Sequence, residues 1–391
     1  MIYLILGIIC GIFTGLFPGI HPNNIAALSF LLYPYFGEHF INFLIGLVVT
    51  HYFINFIPAA FLGIPDDETA VSVLPMHRLS IIGEGFKAIL LSGIGSYLGV
   101  LFSLLISFLI IFLKLNINYI FSNIKPFIPY ILILFVIYQI ISAKNVWEVL
   151  VILLSGLFGI AVLYYHTSYN ITLTAIFTGM YGIPILLNNL NSKFKKQRIT
   201  YPNFSLKYIK ITFFASLIGF FRIFLPAIGG AQLNYFLSKI IRENEIESFL
   251  VSQGAIVLSN EIFSLLALVF IGTGRSGVAN TIKELNLNFS LDQLSLSIIL
   301  SATLAFIILI YLSKFILSIL ERVNIRVLSI LLIFICTLII IVGSYNFGVV
   351  YHLIVYFSSV FLGLLAVRSG SNLTNLMNVL VFPTILIYLG D

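Results

Sequence analysis

Polar residues are scarce in this chain, and those that could do chemistry sit inside apolar runs. Arg222 stands four residues before Pro226, in Gly219-Phe-Phe-Arg-Ile-Phe-Leu-Pro-Ala-Ile-Gly-Gly230. A guanidinium at bilayer depth costs about 2.5–3.5 kcal/mol on insertion scales, so it must face a cavity or an acid. It can clamp a carboxylate through two parallel N–H donors. The structural alternatives are snorkelling and pairing with Glu261. Glu261, beside Asn260, suits a proton, a cation or a purely structural partner. Asp66, Asp67 and Glu68 form an acidic run. Adjacent side chains diverge on a helix, so this run fits capping and cation attraction better than paired-carboxylate catalysis. His21 and His51 show no recognised metal-ligand spacing with these acids, and no metal or other cofactor is expected. Gly229-Gly230 lacks the Lys-Ser/Thr ending of a phosphate loop. It is better suited to exposing amides at a helix N-terminus, where an anion is favoured.

The elements that must position these groups are broken helices. In Gly11-Ile-Phe-Thr-Gly-Leu-Phe-Pro-Gly-Ile-His-Pro-Asn-Asn24, Pro18 and Pro22 lack an amide donor and clash with a continuing helix. Gly15 and Gly19 permit the turn, and Asn23 and Asn24 offer caps for a helix beginning near Ile25. Backbone opened at membrane depth is tolerated only where protein or a water-filled cavity satisfies it, which makes this stretch a candidate ligand site. A second break is expected at Pro58, Gly63 and Pro65, after an apolar span carrying His51 and Asn55. Gly95 and Gly99 form a small-xxx-small pair that allows close helix contact.

Of 391 residues, 60% are hydrophobic and 9% charged, a composition that excludes an ordinary soluble domain. The apolar runs give roughly ten to thirteen spans or half-spans. The N-terminus lacks a basic n-region and a cleavage site, so 1–17 reads as a retained helix. Cys10 and Cys336 lie in apolar runs and read as packing residues. Six basic residues, Lys193, Lys195, Lys196, Arg198, Lys207 and Lys210, crowd 193–210 without an acid among them, which predicts a cytoplasmic loop. Nothing resembles a nucleic-acid reader. The expected organisation is a first unit over 1–115, a middle membrane section over 116–192, the basic loop, a second unit over 211–290 and a C-terminal section over 291–391.

The two units echo one another. Shifted by 208, Gly11, Phe13, Pro18 and Ile20 fall on Gly219, Phe221, Pro226 and Ile228. Pro18 precedes Gly63 by 45 residues, and Pro226 precedes Gly272 by 46. Interrupted apolar segments at corresponding places in two halves point to the central site of a transporter.

Gly11-xxx-Gly15-xx-Pro18-Gly19, then Pro58-Ala-Ala-Phe-Leu-Gly-Ile-Pro65, then Leu74-Pro-Met76 before a glycine-rich helix resemble the large membrane subunit of tripartite tricarboxylate transporters, the TctA-type permeases. The match is densest over 1–105, looser in the second unit and general in character over 290–391. The chain is shorter than is usual in that family. It departs from the family pattern at Ile20-His-Pro-Asn-Asn24, Pro65-Asp66, Ser259-Asn-Glu261 and Gly272-Thr-Gly-Arg275. The resemblance implies inverted repeats with broken hairpins and a carboxylate bound between them. It also implies cation coupling, a soluble substrate-binding protein and a small membrane subunit.

The reading is therefore an all-α polytopic membrane protein, a secondary transporter rather than an enzyme, with two inverted repeats. The expected substrate-binding residues are Pro18, Gly19, Asn23, Asn24, Gly63, Pro65, Arg222, Gly229 and Gly230. The expected coupling residues for Na⁺ or H⁺ are Asn55, Asp66, Asn260 and Glu261. Its partners would be the lipid membrane, a small carboxylate and the two accessory proteins, with homo-oligomers allowed and nucleic acid excluded. The rivals are an intramembrane enzyme built on Asp66, Asp67 and Glu68, which predicts convergence of those acids, and a partner-dependent scaffold.

Overall fold

A computed structural model of the chain describes residues 1–17, 22, 25–26, 29–63, 73–163, 169–188, 190, 195–224, 234, 245–274 and 276–390. Among the described residues there are helices and turns but no strand. Ten helical segments among the described residues are long and apolar enough to cross a membrane.

The first half contains α1 (Ile2–Leu16), α2 (Phe40–Ile54), α3 (Phe56–Leu62), α4 (Val73–Ile81) and α5 (Gly85–Phe112). It continues through α6 (Ile117–Ile124), α7 (Ile128–Ile141), α8 (Val146–Leu163), α9 (Tyr169–Phe177), a buried π-helical turn over Thr178–Gly182, and α10 (Ile183–Asn188). The second half contains α11 (Leu206–Phe220), α12 (Ile246–Ile271), α13 (Gly277–Glu284), α14 (Leu291–Leu320), α15 (Ile325–Gly343), α16 (Val349–Ser369) and, after a 3₁₀ turn over Leu373–Met377, α17 (Asn378–Gly390).

The helix is interrupted at Asn55, three residues before Pro58, so that α2 and α3 are separate segments. Pro58 falls in the first turn of α3, where an N–H has no intrahelical acceptor and its absence costs no helix bond, and Asn55 keeps helical dihedrals, so the interruption is slight. The true stop is Gly63, whose φ of +67° is the left-handed conformation that glycine tolerates best. Gly272 ends α12 with the same φ of +67°, 209 residues later. The two breaks are thus made by one device.

The α2–α3 segment and α12 are the most buried spans, with 94% and 78% of their most apolar stretch covered, so they form the centre. The span over α6–α7 and α15 are 22% and 28% covered and present apolar side chains such as Leu134, Phe334 and Leu338 outward, as lipid-facing helices do. One core joins α2–α5 with α12–α14. A second lies among α8–α10, the π turn and α15–α17.

Successive contacts fix the helix directions. Gly7 abuts Phe43, Gly11 abuts Leu47 and Thr50, and Gly15 abuts His51 and Ile54, so α1 and α2 run parallel. The chain must therefore return the length of α1 between Phe17 and Phe36, whose ring lies 4.7 Å from that of Tyr3. That is about 20 Å at 1.5 Å per residue. In the second half, Lys207 meets Glu245, Tyr208 meets Glu247 and Gly219 meets Ser259, so α11 and α12 are also parallel. Across the halves, Gly95 abuts Val251 and Gly99 abuts Ala255, which makes α5 parallel to α12. Ser297 binds Asn42 and Phe306 meets Phe53, which makes α14 parallel to α2. By contrast, Lys314 lies over Phe86, Leu309 against Gly93 and Thr303 beside Tyr97, so α5 and α14 are antiparallel.

Candidate functional site

The two first-break helices pack their partners in the same way. A side chain at Gly11 would stand 2.7 Å from the Thr50 Cβ, and one at Gly219 would stand 2.7 Å from the Ser259 Cβ. Glycine is needed at both places because the Leu47 carbonyl at Gly11, and the rigidly held Ser259 Cβ at Gly219, leave no room for a Cβ. The contact brings a polar pair into each half. On α1, the Thr14 hydroxyl donates to the Gly11 carbonyl at 3.2 Å, leaving its oxygen to accept from His51 Nδ1 at 3.0 Å. On α11, Ser216 accepts from Ser259 at 3.0 Å. His51, Asn260 and Glu261 are each 2% exposed or less, although two of them are charged or chargeable.

Glu261 is tied to the second break of its half. Its Oε1 accepts from the Ser276 hydroxyl at 2.7 Å, and the same hydroxyl accepts from the Ala279 amide, capping α13. One serine thus links the buried carboxylate to a helix N-terminus, the end that favours negative charge. Asn234 braces α12 nearer its N-terminal end. Its Nδ2 donates to Gln253 Oε1 at 2.7 Å and its Oδ1 accepts from Ser252 at 2.8 Å.

Of the sequence-predicted site residues, Gly63, Asn55, Asn260 and Glu261 are described throughout, and all four are buried. Arg222 belongs to the 3₁₀ turn over Phe221–Ile223, and its side chain lies outside the described residues. Pro18, Gly19, Asn23, Asn24, Pro65, Asp66, Gly229 and Gly230 also lie outside them, as do His21, Asp67 and Glu68. Among the described residues no three His, Cys, Asp or Glu side chains gather as metal ligands would.

Three residues were missed. Ser276 and Asn234 were passed over because a lone serine or asparagine in a loop gives no signal until its long-range partner is known. A lone His77 among the polar residues after Leu74-Pro-Met76 gives no signal either. It sits on α4, which folds back against α3 so that Ser80 donates to the Ala60 carbonyl at 2.6 Å and the His77 ring covers Gly63.

The basic loop is anchored rather than loose. Gln197 accepts from the Gly85 amide at 2.8 Å and donates to the Ser80 carbonyl at 2.9 Å, while the Arg198 amide donates to the Gly83 carbonyl. Beside it, Lys87 pairs with Glu247 at 2.6 Å, and the Tyr208 hydroxyl donates to the same carboxylate. These bonds hold the N-terminal ends of α5, α11 and α12 at the face that carries the loop.

A helical membrane bundle with paired helix breaks and buried polar groups beside them defines a multi-pass membrane protein of the transporter class. The family model of the Tripartite tricarboxylate transporter TctA family matches residues 1–378, and the chain belongs to that family. It is 62% identical over 392 residues to an uncharacterized protein, MJ1079, of Methanocaldococcus jannaschii, covering 100% of this chain and 99% of that one. No solved structure matches.

Proposed function

We propose that the chain is the permease of a carrier for a small organic anion, a carboxylate, working by alternating access with cation coupling, and that its halves form an inverted repeat. The carrying observation is the antiparallel packing of α5 on α14, together with the equivalent seats of Gly11 on Thr50 and Gly219 on Ser259. Because α2 follows α14 and α12 follows α5, the helices leading into the two first breaks point in opposite directions. Opposed halves of this kind can exchange roles as one access path closes and the other opens.

In this reading Pro18, Gly19, Asn23, Asn24, Gly63, Pro65, Gly229 and Gly230 contribute to binding the anion. Arg222 supplies the full positive charge. Asn55, Asp66, Asn260 and Glu261 attend a Na⁺ or a proton. The chain performs no covalent chemistry. It works with a soluble substrate-binding protein and a small membrane subunit, as membership of a tripartite family suggests. Counterflow of radiolabelled di- and tricarboxylates into proteoliposomes, with and without a Na⁺ or pH gradient, tests the whole proposal. No saturable carboxylate exchange with the accessory proteins present would end it.

Two further results are expected. The loop over 193–210 is cytoplasmic, so a cysteine at Ser205 reacts with an impermeant maleimide in inside-out vesicles and not in intact cells. Labelling from outside would reverse the topology. Arg222→Lys keeps the charge and loses the planar fork, so carboxylate affinity falls about tenfold or more while expression and melting temperature stay near the parent values. Unchanged affinity in a stable Arg222→Lys protein would remove Arg222 from the binding site.

A further inference from the structure

We infer that the buried π-helical turn over Thr178–Gly182 and Ser359 on α16 form a binding site for a monovalent cation, with Na⁺ the ion that fits its oxygens. The site belongs to the second core, whereas Asn55, Asn260 and Glu261 belong to elements of the first. The inference rests on the transport reading only in naming what the ion drives. The site stands without it.

The turn frees backbone oxygen. The Ile183 amide donates to the Thr178 carbonyl, five residues back, and not to Gly179, its acceptor in a regular α-helix. The next residue, Pro184, has no N–H to offer Gly179 or Met180. The Gly179 carbonyl thus loses the amides four and five residues on, and the Met180 carbonyl loses its α-helical donor. The turn lies midway along the span Ile171–Asn188, at a depth where lipid has no donor for such oxygens. Single π turns inside α-helices are frequent at functional sites.

Ser359 meets the turn from the middle of α16. A Cβ at Gly179 would stand 2.6 Å from the Ser359 Cβ, and one helical turn on, Gly363 lies against the Met180 carbonyl. Ser359 is fully buried and its hydroxyl makes no hydrogen bond. Serines in such helices can donate to the carbonyl four residues back, as Ser103, Ser107 and Ser155 do. Ser359 does not, and a buried hydroxyl without a partner is uncommon. Its counterpart on α8 shows what a protein partner looks like. Ser155 and Gly159 repeat the spacing of Ser359 and Gly363, Gly159 lies against the Val379 carbonyl, and Ser155 donates to the Asn375 carbonyl of the 3₁₀ turn at 3.0 Å. Gly182, buried in the π turn, has no described atom within 4 Å of where its Cβ would stand, so the turn has room beside it.

Carbonyl oxygens that have lost their donors attract a cation and repel an anion. No acid occurs on α9, the π turn, α10, α15 or α16, so a divalent ion would find no carboxylate there to balance it. His352 lies about two helical turns away along α16 and is engaged with Thr172 and the Gly348 carbonyl. Neutral hard oxygens suit Na⁺, which interrupted transporter helices hold through freed carbonyls of this kind. In a carrier, an ion here ties the α9–α10 helix to α16 and makes the second core a coupling site.

The test reads ion binding directly. Radioactive sodium is bound to purified full-length protein and counted by scintillation proximity, with choline as the inert cation and unlabelled Na⁺, K⁺ and Li⁺ as competitors. The parent binds sodium saturably. Ser359→Ala removes a ligand but no hydrogen bond, so it melts in choline at the parent temperature while affinity at this site falls about tenfold or more. Pro184→Ala supplies an N–H to the freed carbonyls and weakens the same component. Glu261→Gln, in the first core, keeps the component that these two lose. No saturable binding to the parent, or the parent isotherm in a folded Ser359→Ala, overturns the assignment. Should Ser359→Ala fail to fold, the Pro184→Ala isotherm decides by the same criterion. Absence of carboxylate counterflow in a parent that binds sodium would instead refute the transport reading and leave the site standing.

Discussion

Gly254→Val removes most of the folded protein, and Gly95→Val does the same. The two glycines face each other across α5 and α12. A Cβ at Gly95 would overlap the Val251 carbonyl, and one at Gly254 would overlap the Ser92 carbonyl. The clash is with backbone on both sides, so no rotamer change relieves it. The same contact carries the Ser96 hydroxyl to the Gly254 carbonyl at 3.0 Å and the Ser92 hydroxyl to the Leu250 carbonyl. Forcing extra carbons into a packed core costs about 1–3 kcal/mol where side chains can adapt, and more than about 3 kcal/mol is expected where they cannot. Without a hydrophobic drive between helices inside the bilayer, such close packing is the main cohesion available. The check is monodisperse yield and melting temperature in detergent. Gly182→Ala is the control, since nothing lies within 4 Å of its added Cβ, and it should leave both near the parent values. Equal stability of Gly254→Val and Gly182→Ala would mean that α5 and α12 do not meet as described.

That contact was half legible. Gly95 and Gly99 announce themselves by spacing, and they do seat a helix, but the partner Gly254 has no such companion and is seen only in the fold. The breaks were legible for a similar reason: glycine at 63 and 272 is dictated locally by a left-handed backbone. Helix direction was not legible at all. The parallel seating of α1 on α2 is decided by Gly7, Gly11 and Gly15 meeting Phe43, Leu47 and His51, a register that no local pattern encodes. His77 failed to stand out because an isolated histidine in a connection is ordinary until its ring is found on the break glycine.

Glu261 gives the other large effect, and its two functions separate by substitution. In Glu261→Gln the amide oxygen still accepts from Ser276, so the α13 cap and the second break of that half keep their anchor. The melting temperature should therefore stay close to the parent value. The charge is gone, however, and an intramembrane carboxylate that serves a cation or a proton cannot be replaced by a neutral amide. Gradient-driven carboxylate uptake should fall by about tenfold or more, equivalent to roughly 1.4 kcal/mol at least. Glu261→Ala goes further. It removes the acceptor and leaves the Ser276 hydroxyl buried without it, which costs about 1–3 kcal/mol in addition to the space left by the side chain. Reduced uptake with normal stability in Glu261→Gln, and reduced stability in Glu261→Ala, place the carboxylate in the coupling path. If Glu261→Gln transports at the parent rate, Glu261 is a structural acceptor for Ser276, and the coupling charge lies elsewhere in the chain.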